Sequence, residues 1–398
     1  MEEFPLKETP FQPGHPVNPE NFKGRMDIIQ NIIRYMPNVI SGNAQHFFIT
    51  GKRGMGKTSL ANYVKQLVQK KFKMVGVHVT NDSLQDIESL ISHVIEQLLN
   101  EIESETWSKK IFRKFKDNIK SVGAFGANIE LKENKEEFIK SVKNNFPQFL
   151  SEMVKDFEDK KGIFIIIDDI NGLTKSPDFA TWYKSFSDTL DVNFGGESPV
   201  AIMLSGYPDK LQALYNHNPS FNRIFRSYNL GPLTRAEVSS FFEDTFEKVS
   251  IKTEKEALDK MINFSTGIPT MMQEIGEGVF WEDSDNIIDE NDALKGIFEA
   301  GMQIGKKFIR PEIDSSIYSP KYRSILLKMG EHAIISFKKS NFEKYLNDEE
   351  KKVFPDFLKK AKQLKILEQE RARSGEYKFP NMLYPVYLAI LSIKNDKL

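Results

Sequence analysis

The chain has 398 residues, of which 40% are hydrophobic, and a formal net charge of −1, so it is long enough to form two or three domains with separate cores. It contains no cysteine, which excludes disulfides and thiolate metal sites, and its six histidines form no pair with metal-ligand spacing. We therefore expect surface or core histidines. No apolar run approaches the length of a membrane span, and the acidic N-terminus has no apolar signal core, which predicts a cytoplasmic protein with no membrane partner.

The first 20 residues contain five prolines, which predict an extended arm that lies over the surface. Gly24 and Arg25 follow, directly before apolar residues that recur at helical spacing from Met26. A Gly-Arg turn before the first helix, ahead of the phosphate loop described next, resembles the hhGR box of AAA+ initiator ATPases and STAND-type ATPases. The resemblance implies that Gly24 and Arg25 line an adenine pocket, and a plain turn is the alternative.

The octapeptide GKRGMGKT, residues 51–58, fits the pattern G-x-x-x-x-G-K-[ST] and lies between an apolar strand and a helix-patterned segment. Its glycines let backbone N–H groups surround a phosphate, and the helix N-terminus adds partial positive charge. Lys57 would reach the β- and γ-phosphates of ATP, or the β-phosphate of ADP, and Thr58 would place its hydroxyl on Mg²⁺. A chance match is the alternative, which the strand-to-helix context disfavours. The predicted nucleotide contacts are Gly51, Arg53, Gly54, Met55, Gly56, Lys57, Thr58 and Ser59.

A second buried strand is predicted at residues 74–79, and a long amphipathic helix follows at residues 87–99. The segment at about 101–147 combines a basic helical pattern with a hairpin-like stretch. We interpret it as an insertion into a core domain of residues 21–232. The insertion is either an elaboration of the scaffold or a protrusion that binds a partner.

Residues 162–169, with the sequence GIFIIIDD, form an apolar strand that ends in two carboxylates. A fully apolar strand is typical of a parallel sheet that is covered on both faces. With a phosphate loop upstream, it predicts a Walker B strand, in which Asp168 holds Mg²⁺ from its outer shell and Asp169 orients or deprotonates the attacking water. A strand-end turn with acidic residues is the alternative. An Asp-Asp pair resembles STAND ATPases, whereas AAA+ ATPases commonly have Glu second.

Ser205 follows a further apolar strand and fits the sensor-1 position of the same families, which implies a hydrogen bond to the γ-phosphate or to the water. Arg226 lies just before a short strand that leads into a Pro-Leu-Thr sequence and an acidic helix start. This order resembles the end of the AAA+ and STAND core, where such an arginine can reach a γ-phosphate. Arg223 is the reserve candidate, and structural ion pairing is the competing use of either arginine.

From Thr234 the pattern is wholly helical, which predicts a helical lid at residues 233–312. Within it, Gly267-Ile268-Pro269 resembles the G-x-P motif of STAND ATPases, and this resemblance implies that Pro269 contacts the base side of the nucleotide. A helix start with proline in its first turn is the alternative. The sensor-2 arginine expected nearby in the AAA+ initiators is missing, which favours the STAND side.

Residues 313–398 begin with a predicted linker and continue as short segments in the order typical of a winged helix. Residues 319–398 contain 17 Lys and Arg against 10 Asp and Glu, so this end is basic. In STAND-like ATPases a winged-helix domain can clamp the nucleotide-bound form of the protein rather than bind DNA. Cations on the third helix and at the wing tip are candidates for contacts with double-stranded DNA, largely without reading its sequence; they are Lys359, Lys360, Lys362, Arg371 and Arg373.

Together, these landmarks resemble the archaeal-type and STAND branch of P-loop ATPases, related to AAA+ origin-recognition initiators, from Phe22 to Leu391. The resemblance implies an α/β P-loop NTPase core of the ASCE class with a five-stranded parallel sheet, followed by an α-helical lid and a winged-helix domain. It also implies a slowly hydrolysing ATP-dependent switch, whose nucleotide state controls the lid, self-association and binding of DNA or an effector protein. The alternative is a nucleotide-stabilised regulatory or defence protein with little turnover and no DNA binding. A small-molecule kinase is disfavoured because it has no use for a lid and a winged helix.

Overall fold

In the computed structural model, the described residues are 8–80, 86–101, 142–143, 145–155, 157, 159–192, 196–369, 375–380 and 382–393. The chain divides into two compact units, one of residues 16–231 and one of residues 1–15 with 232–398. Most of the predicted insertion lies outside the described residues, as do Arg371 and Arg373. None of the helices among the described residues combines the length and the hydropathy of a membrane span.

The unit of residues 16–231 alternates strands with helices. Its strands are β1 (Gln45–Gly51), β2 (Val75–Thr80), β3 (Ile163–Asp168), β4 (Val200–Gly206) and β5 (Phe225–Leu230). Its helices are α1 (Met26–Ile33), α2 (Met36–Ile40), α3 (Lys57–Phe72), α4 (Ile87–Glu101), α5 (Phe146–Lys155), α6 (Pro177–Val192), α7 (Pro208–His217) and α8 (Phe221–Ile224). Short 3₁₀ turns lie at Pro19–Asn21 and Leu173–Lys175.

The five strands form one parallel sheet in the order β2-β3-β4-β1-β5. Strands β1, β3 and β4 are buried along nearly their whole length, which is why their sequences are continuous apolar runs rather than alternating patterns. The predicted five-stranded parallel sheet is thus confirmed, with β4 between β1 and β3. Because the strands are parallel, their carboxyl ends share one edge of the sheet, and this edge carries Gly51, Thr80, Asp168, Gly206 and Leu230.

Aromatic rings pack around the first residues of β1 and β5, at the amino edge of this sheet. Tyr183 is fully buried, and its hydroxyl lies 2.8 Å from Nδ1 of His46. Burial lowers the pKa of His46 to about 4, so the ring is neutral at pH 7. His46 is therefore a core histidine, one of the two environments that the sequence predicts for the histidines.

The second unit contains short strands and nine of the helices described here. Its strands are β6 (Lys252–Thr253), β7 (Ile287–Ile288), β8 (Ser336–Lys338), β9 (Glu368–Gln369) and β10 (Glu376–Lys378). Its helices are α9 (Arg235–Glu247), α10 (Lys255–Ser265), α11 (Pro269–Glu282), α12 (Glu290–Ile304), α13 (Arg310–Ser316), α14 (Pro320–Glu331), α15 (Lys339–Phe342), α16 (Asp348–Gln363) and α17 (Leu383–Ile393). A π-helical turn at Gly305–Ile309 joins α12 to α13, and a 3₁₀ turn lies at Glu343–Tyr345.

The predicted linker at the start of the C-terminal segment is partly helical. Three isoleucines here are each 1% exposed, namely Ile309, Ile313 and Ile317, and helix α13 contains Ile313. Their spacing of four residues places them on one helix face, and they pack in the same apolar cluster as the C-terminal helices. Polar residues on the other face of α13 explain why this stretch resembles a linker in the sequence.

The C-terminal segment contains a three-stranded antiparallel sheet in the order β8-β10-β9. From α14 to β10 the elements run helix, strand, helix, helix, strand, strand, which is the order on which the winged-helix prediction depends. Helix α16 begins with a capping box between Asn347 and Glu350. The assignments of a winged helix and of a lid remain predictions.

The N-terminal segment contributes to the core of the second unit. Phe11 is 2% exposed and meets the rings of Phe241 and Phe246 edge-on, with ring centroids 6.0 and 5.0 Å apart. Gly276 also lies against this ring, since a Cβ there would come within 2.1 Å of it. The arm predicted to lie over the surface therefore contains a buried anchor that its prolines do not indicate.

We expect Phe11→Ala to lower the free energy of unfolding by about 3 kcal/mol, because it removes a buried ring and leaves a cavity beside Phe241 and Phe246. Chemical denaturation of the variant and the wild type measures the difference. The control is His15→Ala, in the exposed part of the same segment, which should change stability by less than about 0.5 kcal/mol. Equal midpoints for Phe11→Ala and the wild type would contradict the anchoring role.

Candidate functional site

The octapeptide predicted as a phosphate loop connects the carboxyl end of β1 to the start of α3. Gly54 and Gly56 have φ angles of +82° and +78°, in the left-handed region that glycine enters without strain. Gly51 packs closely against β5, since a Cβ there would lie 3.2 Å from the Cβ of Leu230. Gly56 is the N-cap of α3 and has no side chain to cap the helix, so the first N–H groups of α3 are available to an anion.

The side chain of Lys57 turns back over this loop. Its Nζ donates to the carbonyl oxygen of Gly51 at 3.0 Å and lies 4.9 Å from the ring centroid of Tyr207. Burial lowers the pKa of Lys57, whereas the carboxylates of Asp168 and Asp169 act in the opposite direction. The ammonium group therefore shares one site with both predicted acids.

Asp168 ends β3 and is only 3% exposed. Its carboxylate accepts hydrogen bonds from the side chains of His78 and Ser205, and the hydroxyl of Thr58 lies near enough to lower its pKa as well. Burial by itself would raise the pKa of Asp168, but these donors outweigh burial and hold the pKa below its usual value. Thr58 and Asp168, the two predicted metal-site residues, are thus neighbours at the carboxyl edge of the sheet.

Asp169 follows β3 with a φ angle of +58°, in the left-handed region that residues other than glycine rarely enter. Successive side chains of a strand point to opposite faces, and this turn breaks that alternation. Both carboxylates therefore lie close enough to Lys57 to raise its pKa, which partly offsets the lowering of the pKa by burial. The geometry is compatible with a metal-site role for Asp168 and a separate role for Asp169 toward water.

Ser205 links the two acidic residues. Its hydroxyl donates to Asp168, and its oxygen accepts the backbone N–H of Asp169 at 3.2 Å. The side chain is fully buried. A hydroxyl has one proton to donate, and in this structure that proton is directed at Asp168. Ser205 therefore helps to position both acids, and its predicted contact with the γ-phosphate or with water stays a prediction.

Gly24 and Arg25 adopt left-handed φ angles of +80° and +60° at the start of α1. The Arg25 side chain is buried, and its Nη2 donates to the carbonyl oxygens of Met55 at 3.1 Å and Gly231 at 2.8 Å. Arg25 therefore ties the phosphate loop to the residue that follows β5. The role of the Gly-Arg pair in an adenine pocket stays a prediction.

Ser59 has a structural partner within the same unit. Its hydroxyl oxygen accepts the backbone N–H of Val17 at 3.2 Å, and Phe22 stacks on Tyr63 with ring centroids 4.9 Å apart. These contacts hold residues 17–22 against α3. Arg53 is exposed on the loop itself. The predicted nucleotide contacts of Ser59 and Arg53 stay predictions.

Pro269 is the first residue of α11. This position agrees with the alternative interpretation of the motif, a helix start with proline in its first turn. Gly267, two residues earlier, has a φ angle of +71°. A Cβ on Gly267 would lie 2.3 Å from the carbonyl oxygen of Leu233. Backbone conformation and packing are therefore enough to require this glycine, and the contact of Pro269 with a nucleotide stays a prediction.

Arg226 lies at the opposite edge of the sheet from the phosphate loop. In the register of β5 with β1, Arg226 pairs with Phe47, whereas Leu230 pairs with Gly51. A strand advances by about 3.3 Å per residue, so roughly 13 Å of β5 separates Arg226 from the loop of the same chain. The side chain thus lies away from the phosphate loop of its own chain, and the predicted contact of Arg226 with a γ-phosphate stays a prediction.

At that amino edge, the guanidinium of Arg226 lies 3.9 Å from the ring centroid of Tyr35, and its Nε donates to Gln45 Oε1 at 3.2 Å. Arg223 and Arg226 both line a polar cavity of about 550 Å³ there. The predicted use of Arg223 as the reserve candidate for the γ-phosphate also stays a prediction.

His78 belongs to the site, although the sequence alone places it only among surface or core histidines. It lies on β2, and its Nε2 is 3.3 Å from Oδ2 of Asp168. The sequence does contain an indication that His78 is unusual, because it is the single polar residue in the apolar run of residues 74–79. Tyr207, beside Lys57, had no such signal, because a tyrosine after a strand is common in a loop.

The donor set fits a magnesium ion. Thr58 supplies a hydroxyl and Asp168 a carboxylate, and oxygen atoms are the ligands that Mg²⁺ prefers. Among the described residues no group of three or more His, Cys, Asp or Glu side chains could hold a metal ion. Mg²⁺ needs no such group, because it commonly binds through one or two carboxylates together with water and substrate phosphates.

The candidate DNA-binding lysines lie in the second half of α16. Lys359 and Lys362 are exposed, Lys360 is half-buried, and Lys362 donates to Gln369 Oε1 on β9 at 2.9 Å. In the first turn of α16 the lysines form ion pairs, Lys351 with Asp348 and Lys352 with Glu349. Within the described part of the chain, the second half of the helix therefore presents more uncompensated positive charge than the first turn does.

Comparisons with known proteins agree with this architecture. Residues 25–180 match the model of the KAP family P-loop domain, a range that includes the octapeptide and both acids. The ORC2 protein of Aeropyrum pernix in its ADPNP–ADP complexes has a similar fold, with a TM-score of 0.60, 12% identity and coverage of 96% of this chain and 95% of that chain.

A Walker-type ATPase of Pyrococcus abyssi is also similar, with a TM-score of 0.54, 16% identity and coverage of 96% of this chain and 98% of that chain. At such identities the similarity shows the fold alone. The search of curated proteins found no match. The fold, the octapeptide and the family match together show that this chain contains a P-loop NTPase domain, similar over residues 25–180 to that of the KAP family.

Proposed function

We propose that this chain is a slow, Mg²⁺-dependent ATPase that acts as a molecular switch. The observation that carries the proposal is that the phosphate loop, with Lys57 and Thr58, and the end of β3, with Asp168, lie together at the carboxyl edge of the sheet. A hydroxyl and a carboxylate side by side, next to an ammonium group and a glycine loop, are the groups that a triphosphate and its magnesium ion require.

Each residue of the site has a role that its own chemistry supports. Lys57 would exchange its bond to the carbonyl oxygen of Gly51 for bonds to the β- and γ-phosphates. Thr58 and Asp168 would hold Mg²⁺, which when bound neutralises charge on the phosphate oxygens. Asp169 would orient the attacking water and accept its proton. Its side chain is shorter than that of the glutamate common in AAA+ ATPases, which supports slow turnover.

Arg25 supports the switch role. Its side chain joins the carbonyl oxygen of Met55 in the phosphate loop to that of Gly231, and the polypeptide enters the second unit at Pro232. A movement of the loop on nucleotide exchange would therefore reach the chain segment that leads to the predicted lid. The nucleotide would bias the arrangement of lid and winged helix through this segment.

The test is equilibrium binding of a fluorescent ATP analogue with Mg²⁺ and with EDTA, together with phosphate release with and without duplex DNA. We expect binding that is tighter with Mg²⁺, and slow release. Absence of binding would reject the proposal. Binding without measurable release favours the nucleotide-stabilised regulatory or defence protein. Molecular mass in solution with ATP and with ADP tests the proposed self-association, for which Arg226 is a candidate because it lies away from the phosphate loop of its own chain.

Duplex DNA is the proposed partner of the second half of α16. Replacing Lys359, Lys360 and Lys362 by glutamine should weaken duplex binding and reduce the slope of log K against log salt by about 0.9 for each phosphate that is no longer neutralised. Fluorescence anisotropy at several salt concentrations measures both quantities. The matched control replaces Lys351 and Lys352, which are paired with carboxylates and should matter less.

A wild-type protein that ignores duplex DNA even at low salt would contradict the DNA proposal. The basic surface would then be a solvated face, and an effector protein would become the proposed partner. A decrease in affinity without any change of salt slope would also count against phosphate contacts, because released counterions are what the slope reports.

A further inference from the structure

His78 is held in place from three sides. Its backbone N–H donates to Gln97 Oε1 on α4 at 2.9 Å. Its ring Nδ1 lies 2.6 Å from Asn62 Oδ1, and its Nε2 lies 3.3 Å from Asp168 Oδ2. The His78 side chain is 10% exposed. A polar ring this well fixed, on the strand next to the Walker B strand, has a defined orientation toward Asp168.

The carboxylate of Asp168 is bonded on both of its oxygen atoms. Ser205 donates to Oδ1, and the ring of His78 donates to Oδ2. A carboxylate accepts only, so Nε2 donates in this contact, and Nδ1 bonds the side-chain amide of Asn62, whose oxygen accepts from an N–H or whose NH₂ group donates to a bare nitrogen when the amide is turned over. A carboxylate held at both oxygens cannot rotate freely about its Cβ–Cγ bond. Removing His78 would free Oδ2 and leave Ser205 and Thr58 to orient the group.

Helix α3 takes part in the same arrangement at two positions. Asn62 lies four residues after Thr58, which places the two side chains on the same face of that helix. Asp168 is a neighbour of Thr58 and bonds His78, and the ring of His78 bonds Asn62 one turn further along α3. The helix that carries the hydroxyl for the metal therefore also fixes the ring that orients the carboxylate.

We propose that His78 is a positioning residue for the magnesium site, which it serves by orienting Asp168 toward Thr58, with Asn62 fixing the ring. This inference rests on the proposed ATPase function. Side chains that orient a metal-binding carboxylate typically change metal affinity about 10- to 100-fold when they are removed. A ring that only packed beside Asp168 without orienting its carboxylate would leave the magnesium requirement unchanged.

The experiment compares the wild type with His78→Phe, which keeps a ring of similar shape without a donor, and His78→Gln, which restores one N–H donor. Binding of a fluorescent ATP analogue is measured in EDTA and across a Mg²⁺ titration. We expect His78→Phe to raise the half-saturating Mg²⁺ concentration about tenfold and to leave the affinity in EDTA within about twofold. His78→Gln should restore most of the Mg²⁺ affinity. The control is His93→Phe, at an exposed histidine on α4.

The outcomes separate the inference from the function on which it rests. A wild type that binds no nucleotide rejects both. A Mg²⁺ requirement that is unchanged or lower in His78→Phe rejects the role of His78 alone. If circular dichroism shows that His78→Phe is unfolded, Asn62→Leu is the substitute test, because it keeps His78 and removes only the side chain that fixes its ring. We expect that variant to raise the half-saturating Mg²⁺ concentration about threefold, and an unchanged value would overturn the proposal.

Discussion

Replacing Lys57 by alanine is expected to weaken ATP binding at least a hundredfold, or about 3 kcal/mol, because the change removes the ammonium group that the phosphate loop directs into the site. In the structure Nζ bonds the carbonyl oxygen of Gly51 and is influenced by both Asp168 and Asp169. Without the ammonium group, the two carboxylates would repel the triphosphate. Titration with a fluorescent ATP analogue in the presence of Mg²⁺ measures the change.

The matched control is Lys70→Ala, which removes an exposed lysine from the last turn of the same helix and should leave binding unchanged. Circular dichroism of both variants shows whether α3 remains folded. Undiminished binding by Lys57→Ala would refute the assignment of residues 51–58 as a phosphate loop. The proposed roles of Thr58 and Asp168 depend on that assignment and would be rejected with it.

The sequence predicts those parts of the site in which one contiguous stretch of residues specifies both the backbone conformation and the chemical groups. The octapeptide specifies its strand, its turn and its helix by spacing alone. The run that ends in Asp168 specifies a buried strand by its apolar residues, and the parallel sheet then brings its end to the same edge as Thr58. No knowledge of distant contacts is needed for either prediction.

The parts that the sequence did not predict depend on pairings between distant residues. Arg25 bonds a carbonyl oxygen 206 positions away, and His78 bonds a carboxylate 90 positions away. Neither residue lies in a pattern with a period or a spacing that could indicate its partner. Ser205 was predicted as a site residue, but the direction of its single proton is set by Asp168 and Asp169 and is not visible in the sequence.

The position of Arg226 could have been predicted from the parallel sheet. The phosphate loop follows the end of β1, whereas Arg226 lies near the start of β5. In a parallel sheet the starts of strands share one edge and the ends share the other. An arginine at a strand start therefore lies on the far side of the sheet from the phosphate loop of its own chain, as the register with Phe47 shows.

Replacing Asp169 by asparagine is expected to leave ATP binding intact and to lower the rate of phosphate release about a thousandfold, the range typical for loss of a general base. Asparagine is nearly isosteric with aspartate and tolerates the left-handed φ angle of +58° at this position, so the turn after β3 should persist. It also keeps the backbone N–H that donates to Ser205. Phosphate release under saturating ATP and Mg²⁺ measures the rate.

The control for Asp169→Asn is Asp209→Asn, at a carboxylate that is 70% exposed on α7 and should not affect turnover. An unchanged rate in Asp169→Asn would mean that another residue handles the water. A failure to bind would mean that Asp169 holds the nucleotide or its metal ion, as Asp168 is proposed to do. Retained binding with a lower rate is the one outcome that assigns Asp168 to the metal site and Asp169 to the attacking water. The assignment is possible because the variant removes only the ionised group of Asp169 and keeps its backbone hydrogen bond.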